Sequence, residues 1–241
     1  MLAFGIRYLN GFVAAAEPDD LQRAEWPPHP GRIYMALAAA HFQTGADPVE
    51  RSALLWLEGT TRGGEISAPA LIASNAAQRA SVSHYVPVND KAGPSQALMH
   101  SLPLTRERQE RVFARAWPDE DRIYLYWADL EPPPGYRETL ANLCAKVTRI
   151  GHSSSLVQMW VAEAGELGEP SWLPDDERAV ISLRIPGPGT LEYLEQQYNQ
   201  AAIEDYAELR VTELDAADSK TRQHAATLRR ERYGNQPPPQ Q

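Results

Sequence analysis

The sequence predicts an α+β fold in which helices cover a sheet of separated strands. Several short segments carry apolar residues at every second position, and two longer segments carry them at helical spacing. In chain order these segments read strand, helix, mixed strands, strand, helix, strand. That order is typical of a split βαβ, ferredoxin-like (RRM-like) sheet, here with a large insertion and a C-terminal extension.

The first strand and the first helix flank an acidic loop and a proline-rich segment. Every second residue of 3–9 is apolar, as expected of a strand. Prolines stiffen residues 26–30, and Pro30 stands where a helix can begin. The helix should run to about Phe42 and be buried all round, because nearly all its faces are apolar.

Arg32 is the unusual residue of this helix. A cation in the first helical turn opposes the helix dipole. Either a nearby carboxylate compensates the charge, or the helix start and the guanidinium together bind an anion such as phosphate. The residues alone favour the carboxylate, because helix starts far outnumber phosphate sites.

Turn and cap signals delimit the remaining elements. Asp47, Pro48 and Glu50 form an N-cap pattern that opens a helix ending at Gly59. Residues 203–214 fit a helix or a strand equally well. The other expected elements are strands at 66–72, 84–89 (an edge strand), 122–129, 156–162 and 179–185, and helices at 136–150, 190–198 and 220–232.

Composition shifts suggest how the chain is organised. The ferredoxin-like domain is predicted at residues 1–162, with a basic, hairpin-like insertion at about 78–117. Residues 163–233 are expected to form an extension packed on this domain. The last stretch, 234–241, reads as a Pro/Gln tail or linker.

Charge argues against a protein that coats nucleic acid indiscriminately, because the net charge is −9. The distribution is uneven: residues 161–241 hold 8 Lys/Arg against 15 Asp/Glu, whereas 78–115 hold six cations and three acids. An anionic ligand is therefore expected on the first two-thirds of the chain. A single cysteine and the lack of a long apolar run predict a cytoplasmic protein with no membrane segment.

Motifs for metal or cofactor chemistry are missing from the sequence. The six histidines show no metal-ligand spacing, and no phosphate-binding P-loop occurs. No metal and no cofactor is therefore predicted. The stretch Gly151–Ser155 lacks the final glycine of a hydrolase nucleophile elbow, so it reads either as a phosphate-contacting loop or as a plain turn.

Two further features have a structural and a functional interpretation. Tyr124 and Tyr126 share one face of a predicted strand, where they either stack on bases or lie beneath helices. On a helix, Arg108, Arg111 and Arg115 would share one face, which is either a solvated charged surface or a nucleic-acid contact.

Several stretches, in the same order, resemble the Csb-type subunit of type I-G (formerly I-U) CRISPR effector complexes. They are Glu25–Arg32 with the helix that follows, His84–Asn89, Arg111–Pro118, Arg149–Ser155 and Pro186–Tyr198. That family is described as a fusion of a Cas-five-type subunit with a Cas-six-type ribonuclease. The resemblance implies that this chain is the Cas-five-type half, a RAMP-superfamily, ferredoxin-like domain with an inserted thumb. The ribonuclease domain is expected to lie outside these residues.

The same resemblance implies a non-catalytic, CRISPR RNA-binding subunit of a Cascade-like antiviral surveillance complex. Such a subunit caps the 5′ handle of the crRNA, contacts the backbone subunit and the large subunit, and meets target DNA through the complex. The residues expected to bind RNA are Trp26, His29, Arg32, Tyr85, Asn89, Arg106, Arg108, Arg111, Arg115, Arg149, His152, Ser153 and Ser154.

Two other functions compete with this one. A metal-independent endoribonuclease acting on repeat RNA would need a general base, for which His29 and His152 are the attractive candidates. No acid–base pair is evident in the sequence, which disfavours this alternative. A protein-interaction domain would dock a partner through its acidic C-terminal third and would not bind RNA.

Overall fold

The computed structural model describes residues 1–60, 68–74, 76–87, 108–175, 177–179, 181–197 and 200–234. The strands are β1 (Leu2–Tyr8), β2 (Val13–Ala14), β3 (Ala70–Ile72), β4 (Ala76–Pro87), β5 (Arg108–Pro118), β6 (Arg122–Trp127) and β7 (Val157–Val161). The helices are α1 (Pro30–Gln43), α2 (Pro48–Gly59), α3 (Tyr136–Lys146), α4 (Thr190–Gln197), α5 (Gln200–Asp215) and α6 (Ser219–Tyr233). The chain divides into two compact units, 1–187 and 188–241.

A four-stranded sheet forms the centre of the first unit. Its strand order is β3-β6-β1-β7, and each neighbouring pair is antiparallel. Helices α1 and α2 connect β1 to β3, and α3 connects β6 to β7. The α+β prediction is confirmed, and the ferredoxin-like arrangement stays a prediction with which this strand order is compatible.

The two faces of this sheet differ in burial. Phe4, Ile6 and Ile123 have no exposed area, and Leu125 is only 2% exposed, so alternate residues of β1 and β6 form the core. The opposite face carries half-buried aromatic residues, among them Tyr124, which is paired in register with Gly5. One face of the sheet therefore holds the fold together, and the other remains in partial contact with solvent.

A second sheet has the order β2-β5-β4, and its main part is the hairpin of β4 and β5. His84 pairs with Arg111 and Val82 with Phe113, so the expected hairpin and the edge position of β4 are confirmed among the described residues. That this hairpin is an insertion in a ferredoxin-like domain stays a prediction. The helical reading of the arginines is wrong. In a strand Arg108 lies on the opposite face from Arg111, because the two differ by an odd number of positions.

Helix α1 begins at Pro30 as predicted and ends at Gln43, close to the predicted Phe42. The expectation that it is buried all round is wrong, since Met35 is 44% exposed. Helix α2 matches its prediction: Asp47 caps it by accepting from the Val49 amide at 2.7 Å.

Two predicted elements differ because backbone groups find other partners. Helix α3 ends at Lys146 instead of residue 150, where the Ile150 amide donates to the Ser155 carbonyl at 3.2 Å. Residues 181–185 form no strand, and the Arg184 carbonyl accepts from the Gly31 amide at 2.8 Å. Alternating apolar residues in 179–185 suggested a strand that the described residues do not form.

The second unit consists of α4, α5 and α6. Residues 203–214, which fitted a helix or a strand, lie in α5. Across α5 and α6, Arg229 donates to Glu213 at 2.9 Å, and Tyr206 meets Tyr233 with ring centroids 5.5 Å apart. No helix within the described residues is both long and apolar enough to cross a membrane.

Candidate nucleic-acid interface

Strand β2 joins the hairpin to the loop 151–155. Val13 and Ala14 pair with β5, where Ala14 stands opposite Arg115. The Ala14 amide donates to Ser155 Oγ at 2.6 Å, and the Ala14 carbonyl accepts from the His152 amide at 2.9 Å. The hairpin and the loop are therefore fixed to opposite edges of the same two-residue strand.

Gly151 makes this junction possible. Its φ of +90° is a left-handed conformation that other residues rarely adopt. A Cβ at this position would lie 2.8 Å from the Ala14 carbonyl oxygen, closer than real Cβ atoms approach. The glycine therefore serves the close approach of loop and strand, and Ser155, which is fully buried, is structural.

Cations and rings meet on one face of the hairpin. The Phe113 ring contacts His84 and His152, with centroid distances of 5.3 and 4.8 Å and edge-to-face geometry in both pairs. Arg115 places its guanidinium 4.8 Å above the Phe12 ring, and its Nη2 lies 3.4 Å from His84 Nε2. We call this set, with the exposed Arg111, the hairpin surface: Phe12, His84, Arg111, Phe113, Arg115 and His152.

The hairpin surface is positive. Arg111 and Arg115 lie on it, and the carboxylate of Glu110 lies on the other face of β5 because strand side chains alternate. Arg111 and His152 are exposed, whereas Phe113 is half-buried. The arrangement offers charge to phosphates and ring faces to bases.

Other predicted residues lie beside this surface or on the reverse of the hairpin. Arg149, two residues before the loop 151–155, and Ser153 within the loop are exposed, and Ser154 Oγ lies 2.9 Å from His152 Nδ1. Tyr85, 62% exposed, shares the reverse face of the hairpin with Arg108. Two further predicted residues lie outside the described part of the chain: Asn89 and Arg106.

Trp26 is buried, with 3% of its area exposed. Its indole Nε1 donates to the Ser74 carbonyl at 2.8 Å, and its ring lies 6.4 Å from that of Tyr8. The Trp26 carbonyl accepts from Arg79 of β4 at 2.9 Å. This placement does not support base stacking, and it makes Trp26 part of the support behind the hairpin.

Arg32 pairs with a carboxylate, which is the first of the two alternatives. Its Nε and Nη2 donate to the two oxygens of Glu25, each at 2.7 Å. Glu25 has no exposed area and also accepts from Arg184 at 3.1 Å. Burial raises the pKa of Glu25, but the hydrogen bonds and charges of Arg32 and His29 together outweigh burial and hold that pKa below its usual value.

His29 completes this buried cluster. It is 2% exposed, its Nδ1 accepts from Arg184 Nε at 3.1 Å, and its Nε2 lies 3.6 Å from Glu17. Burial lowers the pKa of His29 although Glu25 and Glu17 oppose the shift. A neutral, enclosed imidazole does not support contact with RNA or a role as general base on RNA.

Within the described residues, one group of potential metal ligands lies close together: Glu17, Glu25 and His29, with ligand atoms within 4.8 Å of one another. Both Glu25 oxygens already bind guanidinium groups, from Arg32 and Arg184. Two fixed positive charges at the central ligand oppose a divalent cation. The cluster therefore fits a salt-bridge network and does not fit a metal centre.

Sequence reasoning missed the aromatic half of the hairpin surface. Phe12 and Phe113 were not among the predicted site residues, and His84 was noted only as part of the edge strand 84–89 and of the motif His84–Asn89. The signal was present in the strand spacing of Arg111, Phe113 and Arg115, which places all three on one face. Helical spacing groups Arg108 with Arg111 and Arg115 instead, and therefore does not indicate that Phe113 lies beside the arginines.

Comparisons with known proteins identify the family. The profile described as "CRISPR-associated protein, GSU0054 family" matches residues 6–208, which is most of the chain. No curated protein matches the chain significantly. The family match supports a role in CRISPR defence, and the chain belongs to the GSU0054 family of CRISPR-associated proteins.

Proposed function

We propose that this chain is the CRISPR RNA-binding, Cas-five-type part of a Cas-five/Cas-six fusion in a type I-G Cascade-like complex. It caps the 5′ handle of the crRNA and contacts the adjacent backbone subunit and the large subunit. Target DNA reaches it through the complex. The observation that carries this proposal is the hairpin surface, where arginines and aromatic rings lie together on an otherwise acidic protein.

Each part of the hairpin surface has a role in this proposal. Arg111 is exposed and binds a handle phosphate, because guanidinium groups suit phosphate geometry. The rings of His84, Phe113 and His152 give unpaired bases a stacking surface, which is how single-stranded RNA is commonly recognised. Arg115 adds charge next to these rings.

The neighbouring loop and the reverse face extend the contact. Arg149, Ser153 and Ser154 offer a cation and hydroxyl groups to the next phosphate. Tyr85 and Arg108 meet RNA that passes around the hairpin. Two residues outside the described part of the chain remain proposed contacts: Asn89 and Arg106.

The buried cluster around Glu25 positions the hairpin in this proposal. Arg79 of β4 donates to the Trp26 carbonyl at 2.9 Å, and Ser81 donates to the Gln22 carbonyl at 2.5 Å. The loop that carries Glu25 is therefore bound to the reverse face of β4. Trp26, His29 and Arg32 support the site from behind.

Binding of labelled handle RNA over a range of salt concentrations tests the proposal. Arg111→Ala should weaken binding and reduce the salt slope by about 1, because one phosphate contact is lost. Arg178→Ala removes an exposed arginine outside the hairpin and serves as the matched control. Unchanged slopes and affinities for both Arg111→Ala and Arg115→Ala would contradict the site assignment.

One observation favours a second candidate, the metal-independent cleavage of repeat RNA. Two exposed imidazoles, His84 and His152, contact the same Phe113 ring beside Arg115. One imidazole would take the proton of a 2′-hydroxyl, whose oxygen attacks the adjacent phosphorus. The bond from phosphorus to the 5′-oxygen then breaks, and the other imidazole donates a proton to that oxygen.

Cleavage of this kind leaves a 2′,3′-cyclic phosphate and a 5′-hydroxyl. The test is incubation of the chain with end-labelled repeat RNA in EDTA, with RNA carrying a 2′-deoxy substitution as the control. Product that disappears in His84→Ala and in His152→Ala would support this candidate. If no product forms with the unmodified chain, the candidate is removed for these residues.

A further inference from the structure

A second aromatic surface lies on the four-stranded sheet, on the face that points away from the core. Gly5 of β1 is in register with Tyr124 of β6 on one side and with Trp160 of β7 on the other. Tyr126, two positions along β6, stands opposite Ala3. The three aromatic side chains are half-buried, so their rings keep contact with solvent.

The ring of Trp160 is held in one position. A Cβ on Gly5 would lie 2.3 Å from this ring, so the ring covers the glycine where no side chain fits. Its Nε1 donates to Glu166 at 3.1 Å, and Tyr124 meets it edge-to-face with centroids 6.1 Å apart. Because the polar edge of the indole is satisfied and its orientation is fixed, the ring is preorganised to receive a flat ligand.

Positive charge lies in the next row of the same face. Arg7 and Arg122 stand directly opposite each other on neighbouring strands, an arrangement of like charges that is unfavourable unless an anion is near. Asp121 accepts from Arg7 at 2.7 Å. Arg122 is exposed, and no carboxylate pairs with it among the residues that the structure describes. The one carboxylate in this row pairs with Arg7, which leaves Arg122 available for an anionic ligand.

We propose that this aromatic sheet face, formed by Tyr124, Tyr126 and Trp160 with Arg7 and Arg122, binds unpaired bases of a single-stranded nucleic acid. Bases stack on the rings, and a phosphate lies at Arg122. Residues two positions apart on a strand are about 7 Å apart, so a ring and an arginine can meet the base and phosphate of one strand. This site is separate from the hairpin surface and does not depend on it.

Tryptophan fluorescence titrated with short single-stranded oligonucleotides tests this proposal. RNA and DNA oligonucleotides of one sequence reveal which nucleic acid the site prefers, and a duplex of the same sequence is the negative control. Binding should quench fluorescence. Because Trp117 lies beside Phe12 of the hairpin surface, the titration is made in the Arg111→Ala/Arg115→Ala double variant, where Trp160→Phe should remove the quenching that remains. Tyr124→Leu should weaken single-strand binding about tenfold, the effect of losing one stacking ring.

Matched variants distinguish binding at this aromatic sheet face from nonspecific effects of a substitution and from binding at the hairpin surface. Tyr193→Leu, which removes an exposed tyrosine of α4, should leave affinity unchanged. Gly5→Ala displaces the Trp160 ring while keeping it in the protein, so it should weaken binding with the far-UV spectrum unchanged. In the Arg111→Ala/Arg115→Ala double variant the quenching should persist, which distinguishes this site from the hairpin surface.

Three results would overturn the proposal. The first is fluorescence that single strands do not quench. The second is quenching that survives Trp160→Phe when Arg111 and Arg115 are also replaced by Ala. The third is a Trp160 signal that changes with protein concentration alone, because that outcome assigns the face to a protein interface. Salt dependence gives an independent readout, since Arg122→Ala should reduce the slope of single-strand binding by about 1.

Discussion

Arg32 binds both carboxylate oxygens of Glu25 at 2.7 Å, and this pair ties the acidic loop to the first turn of α1. The Glu25 side chain is fully buried, whereas the Arg32 side chain is 24% exposed. Arg184 adds a third member and fixes residues 181–185 to the same place. The cation that opposes the dipole of α1 is therefore compensated by a carboxylate seven residues earlier.

Glu25→Gln should lower the free energy of unfolding by about 3 kcal/mol, because it leaves the guanidinium of Arg32 without its buried partner. Urea denaturation at pH 7 measures the change. The control is Asp121→Asn, which breaks the exposed Arg7–Asp121 pair and should cost less than about 1 kcal/mol. Equal losses in the two variants would show that the Glu25 cluster is not a stabilising centre.

Stability should also fall in acid because of Glu25. Its pKa is below the usual value of 4.5 in the folded chain, so its contribution is fully present above pH 4.5. As the pH falls from there through the folded pKa, the carboxylate takes up a proton and the contribution is lost. Urea midpoints of the unmodified chain and Glu25→Gln should therefore converge below pH 4.5; a constant difference would contradict this.

His29 should impose a second pH dependence at higher pH. Burial lowers its pKa below the usual 6.5, so it stays neutral in the folded chain. Below pH 6.5 the unfolded chain binds a proton there that the folded chain does not, which lowers stability as the pH falls. Melting temperatures at pH 7.5 and 5.5 should differ less in His29→Gln than in the unmodified chain. The same difference in both chains would argue against this role.

Gly151→Ala should destabilise the junction between β2 and the loop 151–155. The added Cβ meets the Ala14 carbonyl oxygen at 2.8 Å in a left-handed backbone. Gly11→Ala is the control, since Gly11 also has a positive φ but has nothing within 4 Å of an added Cβ. In denaturation experiments we expect Gly151→Ala to cost at least about 1 kcal/mol more than Gly11→Ala. Similar costs would mean that the close approach is unimportant.

Arg32→Ala separates stability from RNA binding. Because Arg32 is bound to Glu25, its removal should lower the melting temperature without reducing the salt slope for handle RNA. Arg111→Ala should do the reverse, because Arg111 is exposed. RNA binding of both variants is measured well below the melting temperature of the less stable one. A reduced slope in Arg32→Ala would restore Arg32 to the RNA site.

The local elements and the family could be predicted from the sequence. Alternation marked β1 and β6, cap residues marked α2, and the prolines marked the start of α1, because these signals act between neighbours in the chain. The motif order led to a CRISPR-associated protein, which the family match supports. The arginine-rich insertion was also recognised as a hairpin-like element from its composition.

Which side chains meet depends on the tertiary fold and could not be predicted from local patterns. Glu25 and Arg32 are separated by a proline segment whose path local rules do not give, and Arg184 comes from 159 residues further along the chain than Glu25. The contact between the Phe113 and His152 rings depends on β2, a two-residue strand that is too short to show apolar alternation in the sequence. Pairing across such distances depends on how whole elements pack. For this reason Trp26, His29 and Arg32, which belong to a motif, lie in the buried cluster around Glu25. Phe12 and Phe113, which belong to no predicted site, lie on the hairpin surface instead.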